Sequence, residues 1–238
     1  MTLNAPLVGM MLAAVSGLQA ADPLYLVKDG KALGTIVKAA PSAEKDFWHQ
    51  PWYLSAGIND LRKYIKESSG GNLKIVTDGA EVKGPAIHVG RTAYVKSLGL
   101  PLDTIDKEGV ILKRVGNNVV IVGGSPVGTR HAARIFLEDV CGVRWYLPDE
   151  LWKIVPQSKD IVVGELDKSH NPSYLNRYLS GITHERWMRW NRASWPERYS
   201  IVHNIGKVID STKYGKEHPE YFPLIGGKRM VPPKWWKT

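Results

Sequence analysis

The stretch that decides the fold joins an apolar run, a glycine-rich junction and a helix. It is Asn118-Val-Val-Ile-Val-Gly-Gly-Ser-Pro-Val-Gly-Thr-Arg-His-Ala-Ala-Arg-Ile-Phe-Leu-Glu-Asp-Val-Cys-Gly-Val-Arg-Trp145. The β-branched run at 118–122 predicts a strand. Ser125 suits the N-cap of the following helix, Pro126 suits its first position, and Gly142 ends it. This order of elements indicates one layer of an α/β fold.

The same alternation continues toward the N-terminus. Leu54, Ile58, Leu61 and Ile65 form one apolar stripe, which predicts a helix that opens at Pro51. Asp29-Gly30 predicts a hairpin between strands at 24–28 and 35–38. Further strands are predicted at 73–77, 86–89, 108–114, 143–146, 152–155 and 161–163. Together these elements predict an α/β fold in which helices pack on a mixed sheet.

Toward the C-terminus the composition changes at 167–172, Asp-Lys-Ser-His-Asn-Pro. This polar stretch predicts a linker, with one domain at 22–166 and a second segment at 172–238. The second segment is predicted to hold a helical piece near 185–191 and a strand at 199–204.

The N-terminus predicts export. No charged residue occurs before Asp22, and an apolar run at 7–15 leads into the small residues Ala20 and Ala21. This pattern is typical of a signal peptide over 1–21, and it predicts a secreted or periplasmic protein without a membrane span after cleavage. An apolar N-terminal helix and a misassigned start remain alternatives.

Composition narrows the functional classes. The chain has 238 residues, 43% of them hydrophobic and 23% charged, which excludes disordered and collagen-like proteins. Its single cysteine excludes a disulfide scaffold and a cysteine-rich zinc site. The net charge of +9 is spread along the chain without an RNA-binding signature, so no nucleic-acid partner is predicted. Attraction to acidic glycans stays open.

Two patterns that bind cofactors elsewhere are incomplete here. The junction at 123–129 has the glycine spacing of a phosphate-binding loop, but Thr129 follows Gly128 where that loop has lysine. A tight turn with close contact between helix and sheet is the favoured interpretation. The seven histidines lack the spacing of metal ligands, so neither a cofactor nor a metal is predicted.

Residues 108–129 and 136–148 resemble the N-terminal α/β domain shared by bacterial alpha-glucuronidases and beta-hexosaminidases (a hexosaminidase domain 2-like fold). The phrase His218-Pro-Glu-Tyr-Phe-Pro-Leu-Ile-Gly-Gly-Lys-Arg229 is similar to an uncharacterised domain that follows it in many secreted bacterial proteins. The resemblance implies that a partial (β/α) barrel of glycosidase type begins after 172. It further implies a role in polysaccharide metabolism, with a polysaccharide or oligosaccharide as partner.

Three residues are candidate sugar contacts. Pro172-Ser-Tyr-Leu-Asn-Arg177 resembles the first barrel strand of beta-hexosaminidases, which implies that Arg177 hydrogen-bonds sugar hydroxyls. His203 lies near the end of a predicted strand, where barrel enzymes place site residues, although a scaffold role is the alternative. Trp190, with Trp187 and Trp195, offers a flat surface for a sugar ring or a contribution to a core.

No catalytic residue is predicted. Glycosidases need two facing carboxyl groups, and the resembled hexosaminidases carry theirs after the fourth barrel strand, whereas this chain reaches about the second. We therefore expect the front portion of a secreted glycoside-hydrolase-like protein without turnover. A non-catalytic carbohydrate-binding or scaffold module is the alternative. Whether the chain is an enzyme, its oligomeric state, and whether it is a natural short product or a truncated reading frame stay open.

Overall fold

The computed structural model describes residues 22–40, 52–179, 185–194 and 208–231. Within them the strands are, in chain order, β1 (Leu24–Lys28), β2 (Lys31–Ala32), β3 (Thr35–Lys38), β4 (Lys74–Thr77), β5 (Ala86–Val89), β6 (Val110–Val115), β7 (Asn118–Gly123), β8 (Arg144–Trp145), β9 (Lys153–Ile154), β10 (Ile161–Val163), β11 (Asp167–His170), β12 (Leu224–Ile225) and β13 (Lys228–Arg229). The helices are α1 (Trp52–Ser69), α2 (Ala93–Ser97), α3 (Pro126–Val140), α4 (Glu185–Trp190) and α5 (Ser211–Glu217), with 3-10 turns at Glu150–Trp152 and Pro219–Tyr221.

The chain forms two compact units. Unit 1 comprises the residues up to Tyr174 together with 179–193, and unit 2 comprises 175–178 and the residues from Ser194 onward. The predicted division placed 185–191 in the second segment, whereas the structure packs α4 into unit 1.

A six-stranded mixed sheet in the order β11-β6-β7-β5-β3-β4 is the centre of unit 1. The strands β4, β3, β5 and β7 are parallel, whereas β6 runs antiparallel to both of its neighbours. A second sheet has the order β10-β1-β2. Helices pack on the large sheet, so the predicted α/β class with a mixed sheet is confirmed.

Both faces of the large sheet are covered, which explains the continuous apolar run of β7. Val119 and Ile121 belong to the main core, which also contains α1 and α3. Val120 and Val122 point to the opposite face and pack with Val95 of α2. Successive side chains of a strand alternate between faces, so a strand buried on both sides carries no polar alternation.

Helix α1 and helix α3 pack directly against each other on one face of the sheet. The predicted stripe Leu54, Ile58, Leu61 and Ile65 is buried, which confirms the helical period. A Cβ added to Gly57 would lie 3.2 Å from the Cα of Arg130, so the two helices approach closely there.

The predicted turn at Asp29-Gly30 is correct, but the predicted pairing of the strands at 24–28 and 35–38 is wrong. Asp29 and Gly30 have φ of 50° and 76°, as a tight two-residue turn requires. The strand that returns is β2, which pairs with β1, while β3 joins the large sheet beside β5. The amide groups of Leu33 and Gly34 both donate to the Leu26 carbonyl, which turns the chain out of the hairpin.

The predicted linker at 167–172 is wrong for its first four residues, because these form strand β11. All four β11 side chains are exposed, and the strand pairs with β6 through its main chain. Ion pairs from Lys113 to Asp167 and from Lys168 to Asp139 hold it in place, each at 2.5 Å. An edge strand without a buried face has the composition of a loop, so hydrophobic pattern alone does not reveal it.

Unit 2 is built from short elements in the described residues. Asp210 caps α5 by accepting from the Thr212 amide at 2.7 Å. The strands β12 and β13 form a hairpin across Gly226 and Gly227, both with positive φ. The barrel start stays a prediction, and its strand at 199–204, like the signal peptide, lies outside the described residues.

Candidate functional site

The glycine-rich junction between β7 and α3 is filled by the protein's own main chain. A Cβ on Gly123 would lie 2.3 Å from the carbonyl carbon of Gly128, and one on Gly124 would lie 2.2 Å from the Asp106 oxygen. Ser125 Oγ accepts from the Gly128 amide at 3.4 Å and donates to the Lys107 carbonyl at 2.6 Å. The glycines serve close packing between helix and sheet, as predicted.

An aromatic cluster forms around Trp145, the last residue of the Gly-Val-Arg-Trp phrase. Trp145 Nε1 donates to Tyr64 Oη at 3.3 Å. The rings of Trp145 and Trp190 stack with centroids 5.5 Å apart and an interplanar angle of 21°. Trp190 is only 6% exposed, so a sugar would have to displace this packing before it could lie on the ring. Core packing describes its position, and its sugar contact stays a prediction.

Polar contacts fasten the α4 segment to the same cluster. Trp187 Nε1 and Asn191 Nδ2 both donate to the carbonyl of Trp145, each at 3.0 Å. Arg192 forms an ion pair with Glu138 of α3 at 2.6 Å. The α4 segment therefore completes unit 1 through both apolar and polar contacts.

Two buried arginines of α3 face this region and were missed by the sequence analysis. Arg134 bonds Asp60 through NH2 at 3.0 Å and donates through NH1 to the carbonyl of Arg189. Burial lowers the pKa of Arg134, and Asp60 raises it. Arg130 and Arg134 are four residues apart, which places both on one face of a mostly apolar helix. This four-residue spacing was the sequence signal that could have revealed the two arginines.

Arg177 is half-buried and lies in unit 2. Its amide donates to the Ser194 carbonyl at 2.7 Å, and the Ser194 amide donates back at 2.9 Å. This isolated bridge fixes the main chain at the position for which a sugar contact is predicted. The role of Arg177 stays a prediction, and His203 lies outside the described residues, as does Trp195.

Asp210 and Glu220, two carboxylates of the C-terminal region, have local structural roles. Asp210 caps α5, and Glu220 lies 2.9 Å from the Nδ1 of His218. A hydrogen bond from its own main chain, followed by the His218 contact, lowers the pKa of Glu220. Glu185, in unit 1, pairs with Arg189 at 3.1 Å. These contacts stabilise local structure, and none of them joins two carboxylates.

Two further titratable residues are structural. His88 stacks on Tyr94 at 4.4 Å and lies 3.3 Å from Thr92 Oγ1, and burial lowers its pKa. Burial also raises the pKa of the Cys141 thiol to about 12, so the thiol stays protonated at neutral pH. Among the residues that the structure describes, no group of three or more His, Cys, Asp or Glu is placed to hold a metal ion. The described helices include none long and apolar enough to cross a membrane.

Comparison with known proteins finds similar folds at low identity. Neither a protein family model nor a curated protein matches the chain. A GH20 beta-N-acetylhexosaminidase from Streptomyces coelicolor A3(2) is 13% identical over 68% of this chain and 26% of its own, with a TM-score of 0.40. A GH115 4-O-methyl-alpha-glucuronidase specific for decorated arabinogalactans is 14% identical over 65% of this chain and 19% of its own, with a TM-score of 0.47. A Streptomyces plicatus beta-hexosaminidase is 13% identical over 66% of this chain and 25% of its own, with a TM-score of 0.40. The chain thus spans about a quarter or less of the length of these enzymes.

Proposed function

We propose that unit 1 is the accessory α/β module at the front of a secreted glycoside-hydrolase-like protein of polysaccharide metabolism. The chain itself does not turn over sugar. Its carbohydrate partner is bound by the protein of which this module forms part, and no nucleic acid is involved. Secretion depends on the signal peptide at 1–21, which N-terminal sequencing of exported protein tests.

One observation carries this proposal: both phrases that define the resemblance serve folding in this chain. The glycine phrase packs its own main chain between β7 and α3, with Gly128 also close to the Gly109 and Lys107 carbonyls. Trp145 of the second phrase is 3% exposed and holds the aromatic cluster together. A catalytic or binding role would need side chains that face a ligand, whereas these residues face the core, which supports an accessory module.

The state of the described carboxylates also supports a role without turnover. A glycosidase places two carboxyl groups across the scissile bond, one of them with a raised pKa so that it can act as the acid. The pKa of Glu220 is lowered instead, and its carboxylate pairs with His218. Asp210 is occupied as a helix cap.

A panel of aryl glycosides tests the absence of turnover. The full chain is incubated with 4-nitrophenyl glucuronides and N-acetylhexosaminides, and we expect no release of nitrophenol above the buffer rate. Hydrolysis that disappears in Glu220→Gln while Glu217→Gln keeps it would contradict the proposal. Both variants change an exposed acid of the same short segment, so they form a matched pair.

The second candidate is a non-catalytic carbohydrate-binding module, and the bridged position of Arg177 favours it. An arginine whose main chain is fixed is suited to hydrogen-bond sugar hydroxyls. Calorimetry with neutral and acidic oligosaccharides is expected to show binding that Arg177→Ala weakens about tenfold and Arg62→Ala, on the exposed face of α1, leaves unchanged. If no glycan gives a binding heat, the carbohydrate-binding candidate is rejected and the accessory role remains.

A further inference from the structure

Arg130 is buried without hydrogen-bond partners for two of its guanidinium nitrogens. The residue is 3% exposed, and Nε and NH1 have no partner among the described residues. Native proteins seldom leave such donors unpaired, because an unmade bond to a buried charged group costs more than a neutral one. The charge of Glu108 attracts Arg130, yet Nε and NH1 stay without an acceptor. The position therefore calls for an acceptor.

Two other nearby carboxylates are paired with other arginines, so neither of them satisfies the open nitrogens of Arg130. Asp60 pairs with Arg134 at 3.0 Å, and Glu185 pairs with Arg189 at 3.1 Å. Burial, with a smaller contribution from the charge of Arg134, lowers the pKa of Arg130 to about 9. The guanidinium is still cationic at neutral pH. An anion placed here would accept the hydrogen bonds that Nε and NH1 leave unmade.

The N-terminus of α1 lies at the same place and adds positive potential. The guanidinium carbon of Arg130 lies 4.5 Å from the ring centroid of Tyr53 and 5.8 Å from that of Trp52, the first two residues of α1. This helix has 18 residues and no acidic residue in its first turn. The first amide groups of a helix lack partners within the helix and carry partial positive charge, so they attract anions.

We propose that Arg130 and the first turn of α1 form a binding site for a single carboxylate group. A planar carboxylate matches the donor geometry of a guanidinium, and the aromatic rings of Trp52 and Tyr53 shield the pair from water. Trp52 is 41% exposed and forms the outer wall of the site. The carboxylate comes either from a simple organic acid or from an acidic saccharide.

Calorimetry on the full chain tests the site and separates these sources. The probes are sodium acetate, sodium glucuronate and glucose, at an ionic strength held constant with sodium chloride. Saturable binding of a carboxylate but not of glucose supports the site. Glucuronate that binds more than about tenfold tighter than acetate identifies an acidic saccharide, and equal affinities identify a simple organic acid. No saturable heat with either carboxylate overturns the proposal.

Variants assign the binding to Arg130. Arg130→Met is expected to weaken carboxylate binding at least about tenfold, because it removes charge-assisted hydrogen bonds. Arg62→Met removes an equal charge from the exposed face of α1 and leaves affinity unchanged. Equal affinity in Arg130→Met and the natural chain overturns the assignment.

A measurement on the natural chain covers the case in which Arg130→Met does not fold. A ligand that binds the folded state raises the midpoint of thermal unfolding. We therefore expect a higher midpoint in acetate or glucuronate than in chloride at equal ionic strength, and equal midpoints overturn the proposal. Hydrolysis of aryl glycosides would instead refute the proposed function and leave this titration unaffected.

Discussion

The two units differ in what holds their elements together. Unit 1 covers both faces of its large sheet and closes an aromatic cluster around Trp145. In the described residues of unit 2, Phe222 is the buried apolar residue, and short-range contacts such as the stacking of His218 on Tyr221 supply the rest. Buried apolar area provides most of the free energy of folding. Order in unit 1 is therefore cooperative, whereas order in the described residues of unit 2 is local.

Hydrogen exchange gives the largest test of this difference. Amides of β7 are expected to exchange through global unfolding, and amides of α5 through local opening, which makes the α5 amides about 1,000-fold faster, equivalent to about 4 kcal/mol. Helix α4 is the control for helix length, because it is about as short as α5 but packs in unit 1. Equal protection of α5 and β7 would remove the distinction between the units.

Replacement of Trp145 by alanine tests the aromatic cluster. Trp145→Ala removes a buried ring together with the Tyr64 hydrogen bond, and we expect a loss of about 3–5 kcal/mol in the free energy of unfolding by urea. Trp152, on the same hairpin, is 48% exposed, so Trp152→Ala is expected to stay within about 0.5 kcal/mol. Equal losses for the two tryptophans would show that the cluster does not stabilise unit 1.

The close approach at the glycine junction predicts a somewhat smaller effect. Gly123→Ala places a Cβ against main-chain atoms of Gly128 and Thr129, at 2.3 and 2.4 Å, and is expected to cost about 2 kcal/mol as the main chain shifts. Gly164 has open space for a Cβ, so Gly164→Ala is expected to change stability by less than about 0.5 kcal/mol. Thermal unfolding of both variants measures the contrast, and a neutral Gly123→Ala would mean that the junction is loose.

The pH dependence of unfolding gives the smallest effect. Burial raises the pKa of Tyr64 to about 12, whereas the unfolded chain titrates near 10. A raised pKa stabilises the fold below pH 10 and loses this contribution as the pH approaches 12, by about 1.4 kcal/mol at pH 11. The difference in unfolding free energy between the natural chain and Tyr64→Phe should shrink accordingly from pH 8 to pH 11. A constant difference would place the Tyr64 hydroxyl in water.

The sequence predicts the parts of the fold that depend on residues close together in the chain. Ser125 caps α3 and Leu54 to Ile65 line one helix face, because capping and helical period act over a few residues. The close packing at Gly123 was likewise predicted from the missing lysine of a phosphate loop. These features depend on neighbours in the chain and are therefore visible in the sequence.

Contacts between distant segments are not visible in the local sequence pattern. Strand β11 has four exposed side chains and is ordered through its pairing with β6, which polar composition does not reveal. The α4 segment belongs to unit 1 because Trp187 and Asn191 bond the carbonyl of Trp145, an acceptor 42 to 46 residues away. The burial of Arg130 follows from the same long-range packing, so its candidate site was equally hidden.

The docking of α4 has a consequence for synthesis and for the design of shorter chains. Trp145, Tyr64 and Arg134 have partners in the 187–190 stretch, which the ribosome releases after the whole large sheet. A nascent chain that ends at the polar 167–172 stretch would have all its strands of unit 1 and still expose an aromatic surface. A chain that ends after residue 193 would cover that aromatic surface. A chain that ends at 167–172 would leave it exposed and would be prone to aggregate.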